Sequence, residues 1–174
     1  MADGTKIDYG LGTRLGSLDG HRVVGHTGSG GGFGNVLESF PDDHLTIAVL
    51  VNTGNGAGLA IKIATAVARV MLGLPEKKTL RDLPVPREEL MALAGKTYES
   101  DEGVVTNYES DGKLRFRLPD SPIEGALSRQ AEYTYAVEEN IEVRFLMRAG
   151  RAEWAIVYEG GLMMDAKRQV SRLP

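Results

Sequence analysis

The stretch GHTGSGGGFGNVLESFPDDHLTIAVLVNTGNG, residues 25–56, decides the fold of the first part of this chain. Strands are predicted at Arg22 to Thr27 and at Asn35 to Phe40, joined by a glycine-rich loop at residues 28–34 and closed by a Pro-Asp turn. Leu45 to Val51 is almost wholly apolar, which predicts a strand buried on both faces. Because the connections are short, they favour an antiparallel meander.

A strand precedes this stretch and a helix follows it. Tyr9 to Gly16 predicts a short strand, and Asp19-Gly20 is a hairpin turn signal. Residues 57–72 predict a helix that is apolar except for one narrow stripe, so we expect it to be buried on most sides. The stripe consists of Lys62, Thr65 and Arg69.

The second half of the sequence changes to short strands at near-regular spacing. A proline-rich, charged segment at residues 75–87 predicts a linker, and residues 88–94 predict a short helix ended by Gly95. Turn dipeptides such as Asp111-Gly112 separate the strands, and this pattern is typical of a small closed barrel or a sandwich. The candidate strands are 96–100, 103–109, 113–118, 123–129, 132–138, 141–148, 152–158 and 161–167.

These patterns predict an α+β part followed by an all-β part. The first is an antiparallel sheet with a packed helix at residues 1–74, and the second is an eight-stranded barrel at residues 88–174, beyond the 75–87 linker. Four of the aromatic residues of the barrel region are expected in its core. They are Phe116, Phe145, Trp154 and Tyr158.

Composition excludes several classes of function. The net charge of −4 argues against a nucleic-acid partner, which usually meets a basic surface. The absence of cysteine excludes a disulfide framework, a thiolate zinc site and a cysteine nucleophile. No stretch is long and apolar enough for membrane insertion, and no signal peptide is visible. We expect a soluble bacterial protein, with cytoplasm and periplasm both left open.

The glycine-rich loop and two histidines are candidate binding sites. Residues 28–34 fit no Gly-x-Gly-x-x-Gly register and lead into a predicted strand, so they do not predict a phosphate site. His21 and His44 lie near Asp19, Asp42 and Asp43, and imidazole with carboxylate suits zinc-like ions. Their spacing matches no ligand pattern, so no cofactor is expected, while a metal ion stays open.

The segments YGLGTRLG and residues 25–56, followed by the apolar helix, resemble the C-terminal part of serine β-lactamases and penicillin-binding proteins. The resemblance is closest to esterases of the class C type and to D-aminopeptidases. His26-Thr27-Gly28 matches the family's third signature. LAGKTYESDEGVVTNYESDGKLRFRL, residues 93–118, looks like the opening of the lipocalin-like module that many of these hydrolases carry.

The resemblance implies roles for four residues. His26 would contact substrate and assist proton transfer, and Thr27 would bind a substrate carboxylate or acyl group. Gly28 completes the signature, and the backbone N–H of Ser29 would form half of an oxyanion hole. The family's catalytic Ser-x-x-Lys and Tyr-x-Asn precede this strand, so we expect both to be missing here and the acyl-serine mechanism with them.

Three functions stay open at this point. The chain is a truncated, inactive relative of a serine hydrolase; or it hydrolyses small esters, amides or phosphoesters with His26 and nearby acids, with or without a metal; or its barrel binds a ligand or partner. Without the family's N-terminal half, the apolar strand at 45–51 would become a sheet edge. We therefore expect a homo-oligomer formed through that strand.

Overall fold

The computed structural model describes residues 6–53, 56–76, 78–100, 103–118 and 124–170. It divides into two units: the first runs to Lys78 and includes Tyr158–Met164, and the second comprises Thr79–Val157 and continues from Asp165. Within the described residues, no helix is long and apolar enough to cross a bilayer.

The first unit is an antiparallel sheet with one long helix, α1 (Gly56–Met71). From the edge inward, the strands follow the order β5, β4, β3, β2, and both β1 and Leu162 pair with β2 on its far side. The strands are β1 (Tyr9–Gly10), β2 (Thr13–Leu18), β3 (His21–Gly30), β4 (Phe33–Phe40) and β5 (Leu45–Val51), with a 3-10 turn at Pro41–Asp43.

The predicted loop at residues 28–34 is wrong, because β3 and β4 continue through most of it. The turn contains only Gly31 and Gly32, with φ of 58° and 84°. Positive φ at both central residues defines the type I′ hairpin turn, which glycine adopts without strain. Similarly, the predicted strand at Tyr9 to Gly16 is interrupted at Leu11 and Gly12, where φ is also positive.

Strand β5 is not buried on both faces, contrary to the prediction. Its residues alternate: Ile47 is buried against α1, whereas Leu50 on the other face is 81% exposed. The physical reason is that only one face of this sheet carries a helix in the first unit. A strand of apolar residues therefore presents half of its side chains to solvent.

Helix α1 is buried on one side only, contrary to the prediction that it is buried on most sides, and Lys62 alone of its polar stripe is exposed. Thr65 and Arg69 are each 2% exposed, while Ile63 and Val67 lie on the exposed side. Thr65 bonds the Ile61 carbonyl, and the Arg69 guanidinium is 2.9 Å from the Asp19 carboxylate. A buried guanidinium needs such a partner, and this one lies beyond the reach of local sequence patterns.

The second unit is the predicted closed barrel of eight antiparallel strands. The strand order is β13, β6, β7, β8, β9, β10, β11, β12, and the β12–β13 pairing closes the barrel. The elements are α2 (Arg87–Leu93), β6 (Thr97–Ser100), β7 (Gly103–Ser110), β8 (Lys113–Arg117), β9 (Glu124–Ala131), β10 (Thr134–Glu138), β11 (Ile141–Arg148), β12 (Arg151–Glu159) and β13 (Leu162–Val170).

Helix α2 is held to the barrel by a buried carboxylate. Glu89 is 3% exposed and accepts hydrogen bonds from Arg129 at 2.6 Å and from the Tyr135 hydroxyl at 2.7 Å. Burial raises the pKa of Glu89, but the bonds from Arg129 and Tyr135 outweigh burial and leave that pKa below its usual value. The carboxylate is therefore stable where it lies.

The four aromatic residues expected in the barrel core separate into two groups. Phe145 and Phe116 pack inside the barrel. Trp154 is on the outward face of β12, because its neighbour Ala155 lines the interior and side chains alternate along a strand. Tyr158 belongs to the first unit, where its hydroxyl donates to Asp8. The prediction was therefore wrong for Trp154 and Tyr158.

Candidate functional site

The four predicted site residues lie consecutively in the second half of β3. Side chains alternate along this strand, so His26 and Gly28 share one face with Val24, whereas Thr27 and Ser29 lie on the opposite face, which carries α1. The structure therefore does not bring the His26 and Thr27 side chains together. Both residues lie instead along the edge of β3 that faces β2.

Among the described residues, no strand pairs with that edge of β3 from Thr27 onward, and we call it the open edge. The N–H groups of Leu15 and Ser17 donate to the carbonyls of Asp8 and Gly161, so both point away from β3. Residues of a strand alternate in direction, so Arg14 points toward β3, where it pairs with Gly25 through hydrogen bonds. By the same alternation, Thr27 and Ser29 direct their N–H and C=O groups toward the β2 side. In the described part of the chain, the β2–β3 pairing ends at Arg14 and Gly25.

The His26 ring is fixed beside this open edge by the backbone carbonyl of the next residue. Its Nδ1 lies 2.6 Å from the Thr27 carbonyl oxygen. A carbonyl only accepts, so Nδ1 carries the proton and donates it. In the neutral ring Nε2 is then an acceptor, and the Tyr9 hydroxyl lies 3.4 Å from it. The arrangement presents an imidazole lone pair beside the strand edge, which suits proton acceptance.

Tyr9 is a site residue that the sequence did not single out. Its ring packs edge-on against His26 with centroids 6.0 Å apart, and the Arg14 guanidinium carbon lies 6.0 Å from the Tyr9 ring centroid. Arg14 in turn donates to the carbonyl of Met163 at 2.9 Å. Tyr9 thus lies between a fixed cation and the imidazole, where its hydroxyl can exchange a proton with Nε2.

Asn35 is the second residue that the sequence did not indicate. It pairs with Gly28 across the hairpin, and a Cβ placed on Gly28 would lie 2.8 Å from Asn35 Oδ1. Glycine is therefore needed at 28 to leave room for the Asn35 amide. Counting from a two-residue turn at 31 and 32 would have revealed this pairing, but the predicted seven-residue loop hid it.

The site lies within an apolar, exposed sheet face. Opposite residues in antiparallel strands share a face, so His26 is in one row with Leu37 and Ala48, and Leu50 is one row further on. Leu37 is 55% and Leu50 81% exposed. Apolar surface of this kind around a polar group marks a surface that meets a ligand or another protein.

Glu38 lies on β4, opposite Gly25 of β3, but its side chain is on the other face of the sheet from His26. It is fully buried under α1, and neither carboxyl oxygen has a hydrogen-bond partner among the described residues. Burial raises the pKa of Glu38 to about 7. Because it is fully buried, Glu38 is not available to a substrate at the strand edge.

One Ser-x-x-Lys sequence does occur, at Ser110 to Lys113, although none was expected. Ser110 pairs with Lys113 across a two-residue turn of Asp111 and Gly112, both with positive φ. Ser110 donates to Asp111, and Lys113 is 2.6 Å from Asp82, so neither group contacts the other. This sequence is a hairpin turn, and its lysine is not placed to activate the serine.

The two remaining histidines lie at the far end of β3. His21 Nδ1 is 2.9 Å from the Asp43 carboxylate, and Asp42 accepts two bonds from Arg22. His44 follows the 3-10 turn with φ of 53°. Among the residues that the structure describes, no group of three or more His, Asp or Glu side chains is arranged to hold a metal ion.

Comparison with known proteins identifies the fold. No family model and no curated protein matches the sequence. Among solved structures, SurE with D-Leu matches at a TM-score of 0.52 and 22% identity, over 92% of this chain and 38% of that one. SurE in a second crystal structure matches at a TM-score of 0.52 and 23% identity, over 92% and 37%.

The octameric penicillin-binding protein homologue from Pyrococcus abyssi also matches, at a TM-score of 0.37 and 20% identity, over 94% of this chain and 36% of that one. A likeness at that level carries no argument. The likeness to SurE shows a shared fold, and this chain spans about 38% of the length of the SurE chain.

Proposed function

We propose that residues 26–29 form one wall of the active site of a hydrolase similar to serine β-lactamases and penicillin-binding proteins. The carrying observation is the open edge of β3, where the Ser29 N–H points outward next to a histidine whose Nε2 is an acceptor. An outward N–H on a rigid strand is suited to a developing oxyanion, because it needs no reorganisation when charge forms. The substrate class is a small ester or amide.

Each of these residues would act on the substrate through one particular atom or group. Ser29 N–H would donate to the substrate carbonyl oxygen. His26 Nε2 would accept the proton of the attacking hydroxyl group or water and return it, through the Tyr9 hydroxyl, to the leaving oxygen or nitrogen. The Asn35 amide, packed over Gly28, would bind a polar group of the substrate on the exposed face. The Thr27 hydroxyl, which is half-buried on the opposite face of the strand, would bind a substrate carboxylate or acyl group.

By itself, this chain lacks the nucleophile for the family's acyl-serine reaction. The only Ser-x-x-Lys is the hairpin turn at Ser110, and there is no Tyr-x-Asn. We therefore expect no covalent adduct when the chain is treated with a fluorophosphonate or a penicillin and weighed by intact mass spectrometry. A stoichiometric adduct mapped to Ser29 would contradict this proposal, and one on Ser110 would show that the hairpin serine is activated.

A residual hydrolase is the second candidate, favoured by the contact between His26 and Tyr9. If it operates, p-nitrophenyl acetate hydrolysis will fall about tenfold or more in His26→Ala and in Tyr9→Phe. His44→Ala is the matched control, since His44 lies beyond the other end of β3. Equal rates in all variants would favour the first candidate, a relative of these hydrolases that is inactive by itself.

One SurE structure contains D-Leu. D-Leu and L-Leu are therefore the first pair of ligands to titrate against the chain, with the His26 signals followed.

A homo-oligomer through β5 remains our expectation, now based on exposed side chains. Among the described strands of the first unit β5 ends the sheet, and Leu50 projects from it. Light scattering after size-exclusion chromatography at micromolar concentration should give at least a dimer, and Leu50→Lys should shift it to monomer. Met91→Lys, at a residue on α2 that is 72% exposed, should change nothing. A monomeric wild-type chain would refute the expectation.

A further inference from the structure

The barrel of the second unit contains a cavity that the proposed function does not use. Its volume is about 220 Å³, and its wall is almost entirely hydrocarbon. A cavity of about 150 Å³ lined in this way stays dry and accepts benzene. This one is therefore large enough for an apolar molecule of roughly ten non-hydrogen atoms. Lining residues include Val105, Phe116, Leu127, Val143 and Ala155.

The cavity wall has a polar donor without a partner. Asn107 is 2% exposed, it lines the cavity, and its Nδ2 makes no hydrogen bond in the described structure. A buried amide that has lost its water contacts without gaining a partner is destabilising, so a group that accepts its hydrogen bond would be held firmly. The unpaired amide therefore points to a ligand with an acceptor oxygen.

The cavity's cation is already neutralised, which restricts the ligand's charge. Lys167 Nζ donates to Ser100 Oγ and to the Gly103 carbonyl at 3.0 Å each, and it is 2.6 Å from the Asp165 carboxylate. Its three protons and its charge are thus used by the protein, and only its hydrocarbon stem is left for the cavity. Among the described lining residues, an anionic ligand would find no free positive charge.

We propose that the barrel interior binds a small, neutral, apolar molecule whose single acceptor oxygen, such as a ketone or ester carbonyl, accepts a hydrogen bond from Asn107 Nδ2. Glycine at position 125 leaves room for such a ligand. Gly125 faces the Phe116 ring, and a Cβ there would lie 2.7 Å from Phe116 Cε1, so glycine at 125 lets that ring lie against the wall.

The test compares two ligands of the same shape in the whole chain. Acetophenone has the acceptor, and α-methylstyrene replaces its oxygen with a methylene group. Both are titrated by NMR, and we expect saturable shifts for both at Val105, Phe116 and Val143. In Asn107→Leu the affinity for acetophenone should fall about tenfold relative to α-methylstyrene. Ala155→Phe, which fills the cavity, should weaken both.

Tyr108→Leu is the matched control, because Tyr108 is next to Asn107 on β7 but faces outward and bonds Glu124. It should leave both affinities unchanged. The proposal is overturned if neither ligand gives saturable shifts inside the barrel, or if Asn107→Leu leaves the ratio of the two affinities unchanged. Should that variant fail to fold, shifts in the wild-type chain confined to Leu37 and Leu50 would equally overturn it.

Discussion

Replacing Gly34 with alanine is expected to destabilise the first unit by at least about 3 kcal/mol. A Cβ at Gly34 would lie 2.0 Å from the carbonyl carbon of Gly56 and 2.2 Å from the backbone nitrogen of Ala57. Both contacts are with main chain at the start of α1, so no side-chain rotation relieves them. The strand and the helix would have to separate, and the core between them would open.

Urea unfolding, followed through NMR signals of β3 and β4, measures this effect. Gly30→Ala is the control, because Gly30 pairs with Phe33 across the same turn and a Cβ there meets nothing within 4 Å. Its φ is also outside the left-handed region. We expect Gly30→Ala to be neutral within about 0.5 kcal/mol. Equal destabilisation by both variants would show that the close approach of β4 to α1 is absent.

Replacing Glu38 with glutamine is expected to stabilise the protein at high pH. The pKa of Glu38 is about 7 in the fold, because the carboxyl is buried without a partner, against 4.5 in an ordinary setting. Below pH 4.5 the group is protonated in both states and costs nothing through ionisation. As pH rises from 4.5 to 7, the unfolded chain releases the proton more readily, so stability falls by about 3 kcal/mol and stays lower above pH 7.

Urea unfolding at pH 4 and pH 8 separates this effect from others. The Glu38→Gln variant should match the wild type at pH 4 and exceed it by up to about 3 kcal/mol at pH 8. Glu76→Gln, at an exposed position, should follow the wild type at both values. An advantage of Glu38→Gln that is the same at both pH values would mean that ionisation is not its source.

Much of the barrel could be predicted from sequence because its signals are local. Dipeptides such as Asp111-Gly112 and Ala149-Gly150 adopt the positive φ values of tight turns, and each predicted strand lies within a few residues of an observed one. A turn of this kind is recognised from its own residues. The strands between them then need only alternating polarity to be identified.

The errors in the first unit arise from partners distant in sequence. Arg69 looks like a solvent-facing residue until Asp19 is seen beside it, and nothing near residue 69 indicates that pairing. Leu50 looks buried because its neighbours are apolar, yet exposure depends on which faces of the sheet are covered. Such information belongs to the assembled sheet and not to any one segment.

The candidate site likewise combines a feature that local sequence predicts with contacts that depend on residues distant in sequence. The position of His26 on a strand could be predicted, whereas the two-residue turn after that strand and the contacts of His26 with Tyr9 and with the Thr27 carbonyl could not. Whether a given N–H faces β4 or the open edge depends on the exact turn residues. Misplacing the turn by one residue inverts every such assignment along β3.

Amide hydrogen exchange along β3 tests the open edge most directly, because it is the basis of the proposed active-site wall. By the alternation of the ladder, the Gly28 N–H bonds to β4 and should be protected, whereas the N–H of Ser29 should exchange close to the rate of an unstructured amide. The account predicts a difference of at least about a hundredfold between these neighbouring amides. Equal protection of Gly28 and Ser29 would contradict it.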